Sequence, residues 1–270
     1  MTIVFHKTIN ILKFAKENKT EMNIAAIIPA RYASTRFPGK PLININGKTM
    51  VHNVYIQASK VFDTVYVATD DERIANEVQN FKGKCVMTSK KHKSGTDRCA
   101  EAILKIEELE KKVFDVVVNI QGDEPFIKTE QLEELKKCFN KKRTQIATLV
   151  KPINNKDDIF NPNKPKVVIS TSNEAIYFSR SPIPYLRGHK ETNWISKHLY
   201  YKHIGLYGYR KDILLEITKL AQTPLEIAES LEQLRWIENG YKIKVAFTEH
   251  ESVSIDTPKD LERIKEIGLL

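Results

Sequence analysis

The chain has 270 residues, of which 41% are hydrophobic and 29% charged, a composition typical of soluble globular proteins. Its length allows one large α/β domain or two small ones, and no apolar run is long enough to cross a membrane. The 43 basic and 34 acidic residues give a net charge of +9. That charge would suit a nucleic acid, an anionic lipid or a polyanionic small substrate.

Much of the positive charge lies in short clusters, such as Lys90-Lys91-His92-Lys93, without interleaved aromatic residues. Such clusters are a weak nucleic-acid footprint and are typical of solvated faces. We therefore expect a small-molecule substrate, with no nucleic-acid partner and no membrane partner.

The three cysteines are widely spaced and form no Cys-x-x-Cys arrangement, which argues against a disulfide framework and a zinc site and favours the reducing cytoplasm. The first 21 residues are mildly basic and partly apolar. They have neither the long apolar run nor the small-residue cleavage site of a secretory signal. We interpret residues 1–21 as an extension of unknown role and residues 22–270 as a single domain.

Apolar runs alternate with amphipathic stretches from Asn23 onward, as in βα units that build a covered parallel sheet. In this part of the chain the pattern predicts strands at 24–28, 64–68, 84–87 and 115–120, and helices at 50–58, 71–81 and 96–112.

Beyond Gln145 the predicted strands are more closely spaced, which indicates a smaller, more antiparallel lobe embedded around residues 146–240. Residues 180–197 contain two prolines and a glycine and predict a long loop of the kind that often covers a binding site. The remaining pattern predicts strands at 146–150, 167–170, 175–179, 203–209 and 242–247, and helices at 211–221, 225–239 and after Pro258.

A basic segment, PARYASTRFPGKPL at 29–42, follows the first predicted strand directly. Ligands of open α/β sheets bind at the carboxyl ends of strands. The forked donors of Arg31 and Arg36, the compact charge of Lys40 and the free backbone amides suit a triphosphate better than a single phosphate. The segment is therefore a candidate triphosphate-binding loop.

Two familiar phosphate motifs are absent. Gly47-Lys48-Thr49 has the last residues of a P-loop, but Leu42 stands where the first glycine is required. No G-x-G-x-x-G follows the first strand either. A conventional kinase or dehydrogenase is therefore disfavoured.

Asp123 directly follows the most strongly apolar predicted strand, and Gly122 beside it allows close approach of a ligand. Magnesium prefers one or two carboxylates together with phosphate oxygens and water. Asp256, in the segment SIDTP, is a second candidate ligand, although Asp-Thr-Pro also starts helices and spacing does not decide between the two roles. The seven histidines form no metal-ligand pattern.

Nine motifs occur in order: PARYASTRFPGKPL, VYVATDDERI, SGTDR, VNIQGDEP, FNPN, YFSR, KHIGLYGYR, LEQLR and IDTPKDLE. Together, from about Met22 onward, they resemble the 3-deoxy-manno-octulosonate (Kdo) cytidylyltransferase family, also called CMP-Kdo synthetase. The resemblance implies an α/β fold of the nucleotide-diphospho-sugar transferase type, Rossmann-like, with a mixed, mostly parallel sheet and a smaller antiparallel lobe. It also implies a cytoplasmic homodimer that uses Mg²⁺ to convert CTP and Kdo into CMP-Kdo and diphosphate for lipopolysaccharide biosynthesis.

By motif, the resemblance assigns Arg31, Arg36 and Lys40 to the CTP phosphates and Asp123 and Asp256 to magnesium. It places the segment 94–98 in the cytidine pocket and makes Arg180 a partner of the sugar carboxylate. The full set of substrate-binding residues that it implies is Ala30, Ser94, Gly95, Arg98, Gln121, Arg180, His203, Tyr207, Glu232 and Gln233, of which Gln121 and the last five lie on the sugar side.

Two alternatives remain open at this point. The acceptor could be another acid sugar, such as a sialic-type or amino-substituted octulosonate, because the CTP half of the site would look the same. The chain could also be an inactive relative that binds nucleic acid through its lysine clusters, in which case binding would be strongly salt-sensitive.

Overall fold

The structure is a computed structural model that describes residues 22–34, 36–251, 253–266 and 268. The predicted extension at 1–21 lies outside the described residues. In the described part of the chain, no helix is long and apolar enough to cross a membrane.

The strands and helices alternate through the first half of the chain, as the sequence pattern predicts. The strands are β1 (Ile24–Ala30), β2 (Asn44–Ile45), β3 (Lys48–Thr49), β4 (Thr64–Thr69), β5 (Cys85–Met87), β6 (Val116–Asn119), β7 (Ile146–Pro152), β8 (Lys166–Ile169), β9 (Ala175–Ser179), β10 (Tyr201–Arg210) and β11 (Ile243–Phe247). The helices are α1 (Met50–Ser59), α2 (Glu72–Asn80), α3 (Gly95–Glu110), α4 (Thr129–Lys137), α5 (Lys156–Phe160), α6 (Trp194–Lys197), α7 (Lys211–Ile217), α8 (Pro224–Glu229), α9 (Gln233–Glu238) and α10 (Pro258–Glu266).

One large sheet, of nine strands within the described residues, forms the centre of the fold. Its main path runs in the order β11, β7, β10, β6, β1, β4, β5, and β8 and β9 extend from β10 as an antiparallel ribbon. β1 pairs in parallel with β4 and β6, and β11 pairs in parallel with β7, whereas β10 is antiparallel to both of its neighbours on the path. Along the path only β10 is reversed, so the predicted mixed, mostly parallel α/β sheet is confirmed.

Both faces of the sheet are covered, because neighbouring strand residues point into different cores. Ala25 and Ile27 of β1 pack in one core with side chains of α3, α7 and α9. Ala26 and Ile28 pack in the other with side chains of α1, α2 and α4. This is why the central strands appear in the sequence as continuous apolar runs rather than as alternating ones.

The predicted helix at 225–239 was wrong as a single element. The structure has two short helices, α8 and α9, separated at Ser230, whose φ of 50° is left-handed. A residue in that conformation ends a helix. The predicted loop at 180–197 is also shorter, because a 3₁₀ turn (Glu191–Asn193) and α6 occupy its last residues.

Candidate active site

A cavity of about 340 Å³ opens at the carboxyl ends of β1 and β6, the two central parallel strands. The basic loop after β1 forms one wall, the start of α3 another, and the segment after β6 the floor. The predicted residues that line this cavity are Ala30, Arg31, Arg36, Lys40, Ser94, Gly95, Arg98, Gln121, Asp123 and Asp256.

The ammonium group of Lys40 lies between two carboxylates in this cavity. Its Nζ is 2.5 Å from Oδ2 of Asp123 and 3.0 Å from Oδ1 of Asp256. Burial alone would lower the pKa of Lys40, but the charges and hydrogen bonds of the two aspartates outweigh it, so the pKa is raised above its usual value. Arg36 adds a third cationic contact, with Nη2 at 3.3 Å from Asp256 Oδ1.

Asp256 reaches the cavity because the segment before α10 is tied to the segment after β6. The backbone N–H of Ile255 donates to the carbonyl of Asp123 at 2.9 Å. The carboxylate of Asp260 accepts the backbone N–H groups of Asp256 and Thr257, which caps the start of α10. The structure therefore gives Asp256 a place in the cavity and leaves the helix-capping role to Asp260.

Glycines allow the close backbone contacts around the cavity. A Cβ added at Gly122 would lie 2.9 Å from the carbonyl oxygen of Pro29, so only glycine fits between the ends of β6 and β1. Gly39 has a left-handed φ of 72° and donates its N–H to the carbonyl of Tyr32 at 2.9 Å. The guanidinium carbon of Arg73 lies 3.3 Å from the centroid of the Tyr32 ring, which fixes the far side of the loop.

Helix α3 begins at the cavity wall. Ser94 accepts a hydrogen bond from the backbone N–H of Asp97, whose carboxylate in turn accepts the N–H of Ser94, so a complete capping box precedes Gly95. The positive end of a 16-residue helix therefore adjoins the cationic loop. This combination attracts anions. The motif resemblance assigns the loop residues Arg31, Arg36 and Lys40 to phosphates and the segment 94–98 to the cytidine pocket, and both assignments stay predictions.

Arg98 is almost fully buried below this helix start. Its guanidinium donates to Thr88 Oγ1 at 2.5 Å and to Asp70 Oδ2 at 3.2 Å. It lines the cavity while it holds the segments that follow β4 and β5 in place.

His92 and Glu101 form a clamp beside the cavity that the sequence pattern does not indicate. His92 and Lys93, which the sequence suggested lie on a solvated face, line the cavity instead. The Nε2 atom of His92 is hydrogen-bonded to Oε2 of Glu101, and Glu101 also accepts the Ser89 N–H and pairs with Lys105. Burial alone would raise the pKa of Glu101, but these contacts lower it to about 2. No signal in the lysine cluster indicates a partner on the following helix.

A second cavity, of about 690 Å³, lies on the other side of the α3 N-terminus and shares Lys93 and Ser94 with the first. Glu232 lines it and accepts a hydrogen bond from Thr96 Oγ1 at 2.9 Å. Burial raises the pKa of the Glu232 carboxyl. The predicted sugar-side residue Glu232 is thus adjacent to the predicted cytidine segment, although the two are far apart in sequence.

Strand β10 carries two more predicted sugar-side residues. Tyr207 pairs in register with Asn119 of β6, and its ring lies 5.3 Å from that of His203. His203 Nε2 is 3.1 Å from Thr148 Oγ1, and burial lowers the pKa of His203 to about 3, so this ring is neutral at physiological pH. Within the part of the chain that the structure describes, the buried side-chain atoms Asn119 Oδ1 and Gln233 Nε2 have no hydrogen-bond partner.

Among the described residues, those that line the two cavities do not include Arg180. Its guanidinium donates to three backbone carbonyls, those of Glu229 at 2.6 Å, Pro162 at 2.9 Å and Ser230 at 3.2 Å. The predicted contact of Arg180 with a sugar carboxylate stays a prediction.

Within the described residues, no group of three or more His, Cys, Asp or Glu side chains could hold a metal ion. The carboxylate pair of Asp123 and Asp256 nevertheless surrounds a positive charge, that of Lys40. Two carboxylates beside a cationic loop are a donor set from which magnesium can take part of its ligands, with the rest from phosphate and water. The residues present therefore fit Mg²⁺ and do not fit zinc.

The comparisons with known proteins agree with this geometry. Residues 25–243 match a family model described as cytidylyltransferase. A 3-deoxy-manno-octulosonate cytidylyltransferase from Parabacteroides distasonis is 61% identical over 246 residues, which are 90% of this chain and 96% of that protein. The chain belongs to the 3-deoxy-manno-octulosonate cytidylyltransferase family. The resemblance seen in the sequence motifs is thereby confirmed, and the protein is a nucleotidyltransferase.

Solved structures extend this family assignment to the fold. A CMP:2-keto-3-deoxy-manno-octonic acid synthetase complexed with CTP superposes with a TM-score of 0.81 at 40% identity, covering 91% of this chain and 98% of the other. A putative glucose-1-phosphate thymidylyltransferase from Bacillus anthracis superposes with a TM-score of 0.59 at 14% identity, covering 91% and 95%. The second likeness shows the fold alone, which is shared beyond the cytidylyltransferase family.

Proposed function

We propose that this chain transfers the cytidylyl group of CTP to Kdo and releases diphosphate, in the pathway that builds lipopolysaccharide. The observation that carries the proposal is the position of Lys40 between Asp123 and Asp256, in a cavity walled by Arg31 and Arg36. One cavity thus contains both the cations that bind a triphosphate and the carboxylates that bind its metal.

The basic loop has the chemistry to bind the leaving diphosphate. Arg31 and Arg36 supply planar guanidinium groups, and Lys40 supplies a compact charge that the neighbouring carboxylates of Asp123 and Asp256 keep protonated. The N–H groups at the start of α3 add fixed partial charges without any side-chain movement. In phosphoryl-type transfer, such positioning and charge neutralisation supply most of the catalysis.

Asp123 and Asp256 would hold Mg²⁺ through carboxylate oxygens. When bound, Mg²⁺ supplies neutralising charge at the phosphates and lowers the pKa of a hydroxyl that coordinates it. The hydrogen bond from Ile255 to Asp123 keeps the two carboxylates together.

On the acceptor side, Gln121 lines the first cavity and Glu232 lines the second. Tyr207 and His203 lie on β10, and Gln233 follows Glu232 at the start of α9. We assign to them the hydrogen bonds that orient the sugar, so that its anomeric hydroxyl oxygen attacks the α-phosphorus in line. The new O–P bond forms as the bond to the β-phosphate oxygen breaks, and diphosphate leaves. Neutral His203 orients through its ring nitrogens and adds no charge.

We also propose that the protein acts in the cytoplasm as a homodimer. Exposed apolar side chains on the lobe, among them Ile176, Tyr185 and Leu199, support association of two copies. The free thiols of Cys85, Cys99 and Cys138 support a reducing compartment.

The test is diphosphate release from CTP with a panel of sugar acids, measured with and without Mg²⁺. We expect release with Kdo, none after removal of Mg²⁺ by a chelator, and recovery when Mg²⁺ is added back. Rapid release with a sialic-type acid and none with Kdo would overturn the proposed acceptor. Full turnover in the presence of the chelator would overturn the metal assignment.

A further inference from the structure

Lys166 is completely buried in β8, although its side chain ends in an ammonium group. Its Nζ donates to the backbone carbonyl of Asn161 at 2.9 Å and to that of Arg180 at 2.6 Å. Among the described residues, no carboxylate forms an ion pair with it. A buried charge that contacts only neutral carbonyls is costly, so the position is expected to serve a purpose other than stability.

The two carbonyls belong to segments that Lys166 holds together. Asn161 precedes Pro162, whose carbonyl accepts Nη1 of Arg180 at 2.9 Å. The carboxylate of Glu229 accepts the backbone N–H of Arg180 at 2.9 Å and the hydroxyl of Ser179 at 2.6 Å. Lys166 is therefore the buried centre of a network that joins the end of β9 to the end of α8.

From Arg180 the network continues to the turn between α8 and α9. Its guanidinium donates to the carbonyls of Glu229 and Ser230. Ser230 has a left-handed φ of 50°, a conformation that is unfavourable for a serine and persists only where its surroundings hold it. Glu232 and Gln233 follow this turn directly, and Glu232 lines the second cavity.

We propose that Lys166 is a positioning residue of the acceptor site: its ammonium fixes Arg180, and Arg180 fixes the turn that presents Glu232 and Gln233. The inference rests on the proposed function, because it takes Glu232 and Gln233 as residues that bind the acceptor sugar. It assigns Lys166 no contact with the sugar and no contact with CTP.

The protonation of Lys166 is sensitive to its surroundings. Burial is the main cause that lowers the pKa of Lys166, to about 8, and the charge of Arg180 also lowers it, whereas Glu229 and Asp158 raise it. As the pH rises through 8 the amine keeps two N–H groups but loses the charge that strengthens its hydrogen bonds. The other charged groups that face this region are Lys164, which pairs with Asp158, and Lys202, which lies opposite Lys166 in β10 and pairs with Glu251 and Asp158.

The decisive experiment compares Lys166→Met with Lys164→Met, a nearby lysine that is partly exposed and pairs with Asp158. For Lys166→Met we expect the KM for the sugar acid to rise about tenfold, with the KM for CTP within about twofold of the starting value. Lys164→Met should leave both constants unchanged. A folded Lys166→Met with an unchanged sugar KM, or with equal rises in both KM values, overturns the proposal.

A pH series of the unaltered protein tests the same idea without relying on the variant's folding. We expect the sugar KM to rise about two- to threefold with a midpoint near pH 8, while the CTP KM stays flat. This rise should be absent in Lys166→Met. A flat sugar KM in the unaltered protein between pH 7 and 9.5 contradicts the proposal. If another sugar acid reacts and Kdo does not, the proposed acceptor fails, and the Lys166 comparison is made with the sugar that reacts.

Discussion

The backbone N–H of Ile255 donates to the carbonyl of Asp123, and as a result the side chains of Asp123 and Asp256 meet on either side of Lys40. A single main-chain hydrogen bond thus joins the segment after β6 to the segment before α10. The buried side chains of Ile255 and Ile264 pack with Ile45 and Met50 and hold the second segment in place. The carboxylate pair depends on this packing as much as on the two aspartates.

We expect Asp123→Asn and Asp256→Asn each to lower kcat by about a hundredfold or more, because each removes a charge from the proposed Mg²⁺ site. The far-ultraviolet circular dichroism should not change, since neither side chain is part of a core. Steady-state diphosphate release measures the effect, and Asp63→Asn, at an exposed position, is the matched control. Turnover equal to that of the control would contradict the assignment.

Gly122→Ala should destabilise the protein by about 1–3 kcal/mol. The added Cβ would lie 2.9 Å from the carbonyl oxygen of Pro29, which is part of β1 and cannot move away. Because Gly122 lies in the segment after β6 that forms the floor of the cavity, the KM for CTP should rise as well. Chemical denaturation and steady-state kinetics measure both effects. Gly205→Ala is the control, because a Cβ there meets nothing within 4 Å, and an equal loss in both variants would argue against the steric cause.

Glu101→Gln should reduce the free energy of unfolding by about 1–2 kcal/mol at pH 7, since it weakens the contacts with His92, Ser89 and Lys105. The folded state lowers the pKa of Glu101 to about 2 from its usual 4.5. Its stabilising contribution is therefore complete above about pH 5 and is lost as the pH falls through 2.

Denaturant unfolding between pH 7 and 3 measures the difference in the free energy of unfolding between Glu101→Gln and the unaltered protein. This difference should become smaller as the pH falls. Glu108→Gln lies on the same helix at an exposed position and should show no such pH-dependent difference. If the difference in the free energy of unfolding between Glu101→Gln and the unaltered protein stays constant down to pH 3, the ionised carboxylate is not the cause of the stabilisation.

Thr96→Val should move the acid limb of kcat/KM for the sugar to higher pH. Burial already raises the pKa of Glu232, and the Thr96 hydroxyl opposes that rise by donating to the carboxylate. Removal of this donor raises the pKa of Glu232 further. A higher pH is then needed before the Glu232 carboxyl is ionised and acts only as a hydrogen-bond acceptor. Thr144→Val, which removes another partly buried hydroxyl bond, is the control. Superimposable profiles of the two variants would exclude the role of Thr96.

The first half of the fold could be predicted from the sequence because its signals are local. β1 and β4 coincide with apolar runs in the sequence, and α2 begins directly after Asp71, which caps it. The reversed strand β10 between β6 and β7 could not be predicted, because strand periodicity specifies which residues share a face and not which strands pair. Ser230 carries no turn signature such as glycine or proline, so the break between α8 and α9 was also hidden.

The candidate site shows the same division between local and distant information. Arg31, Arg36 and Lys40 lie within one segment, and their placement in the cavity follows from one strand end. Asp256 was a candidate ligand from its own segment, but only the motif resemblance favoured metal binding over helix capping, since the hydrogen bond from Ile255 to Asp123 leaves no trace in local composition. The clamp of His92 and Glu101 joins a loop to the helix after it, and a surface-like lysine cluster concealed it.

The last strand of the described fold ends at Phe247, before the segment that contributes Asp256. A protease cut between Phe247 and Asp256, with loss of the C-terminal fragment, would leave every strand of the described sheet in place and remove one of the two carboxylates beside Lys40. The product would still contain the basic loop and the start of α3, so it would bind CTP without converting it. An antibody against the folded core would count such molecules as enzyme, so protein abundance and catalytic capacity can diverge after limited proteolysis.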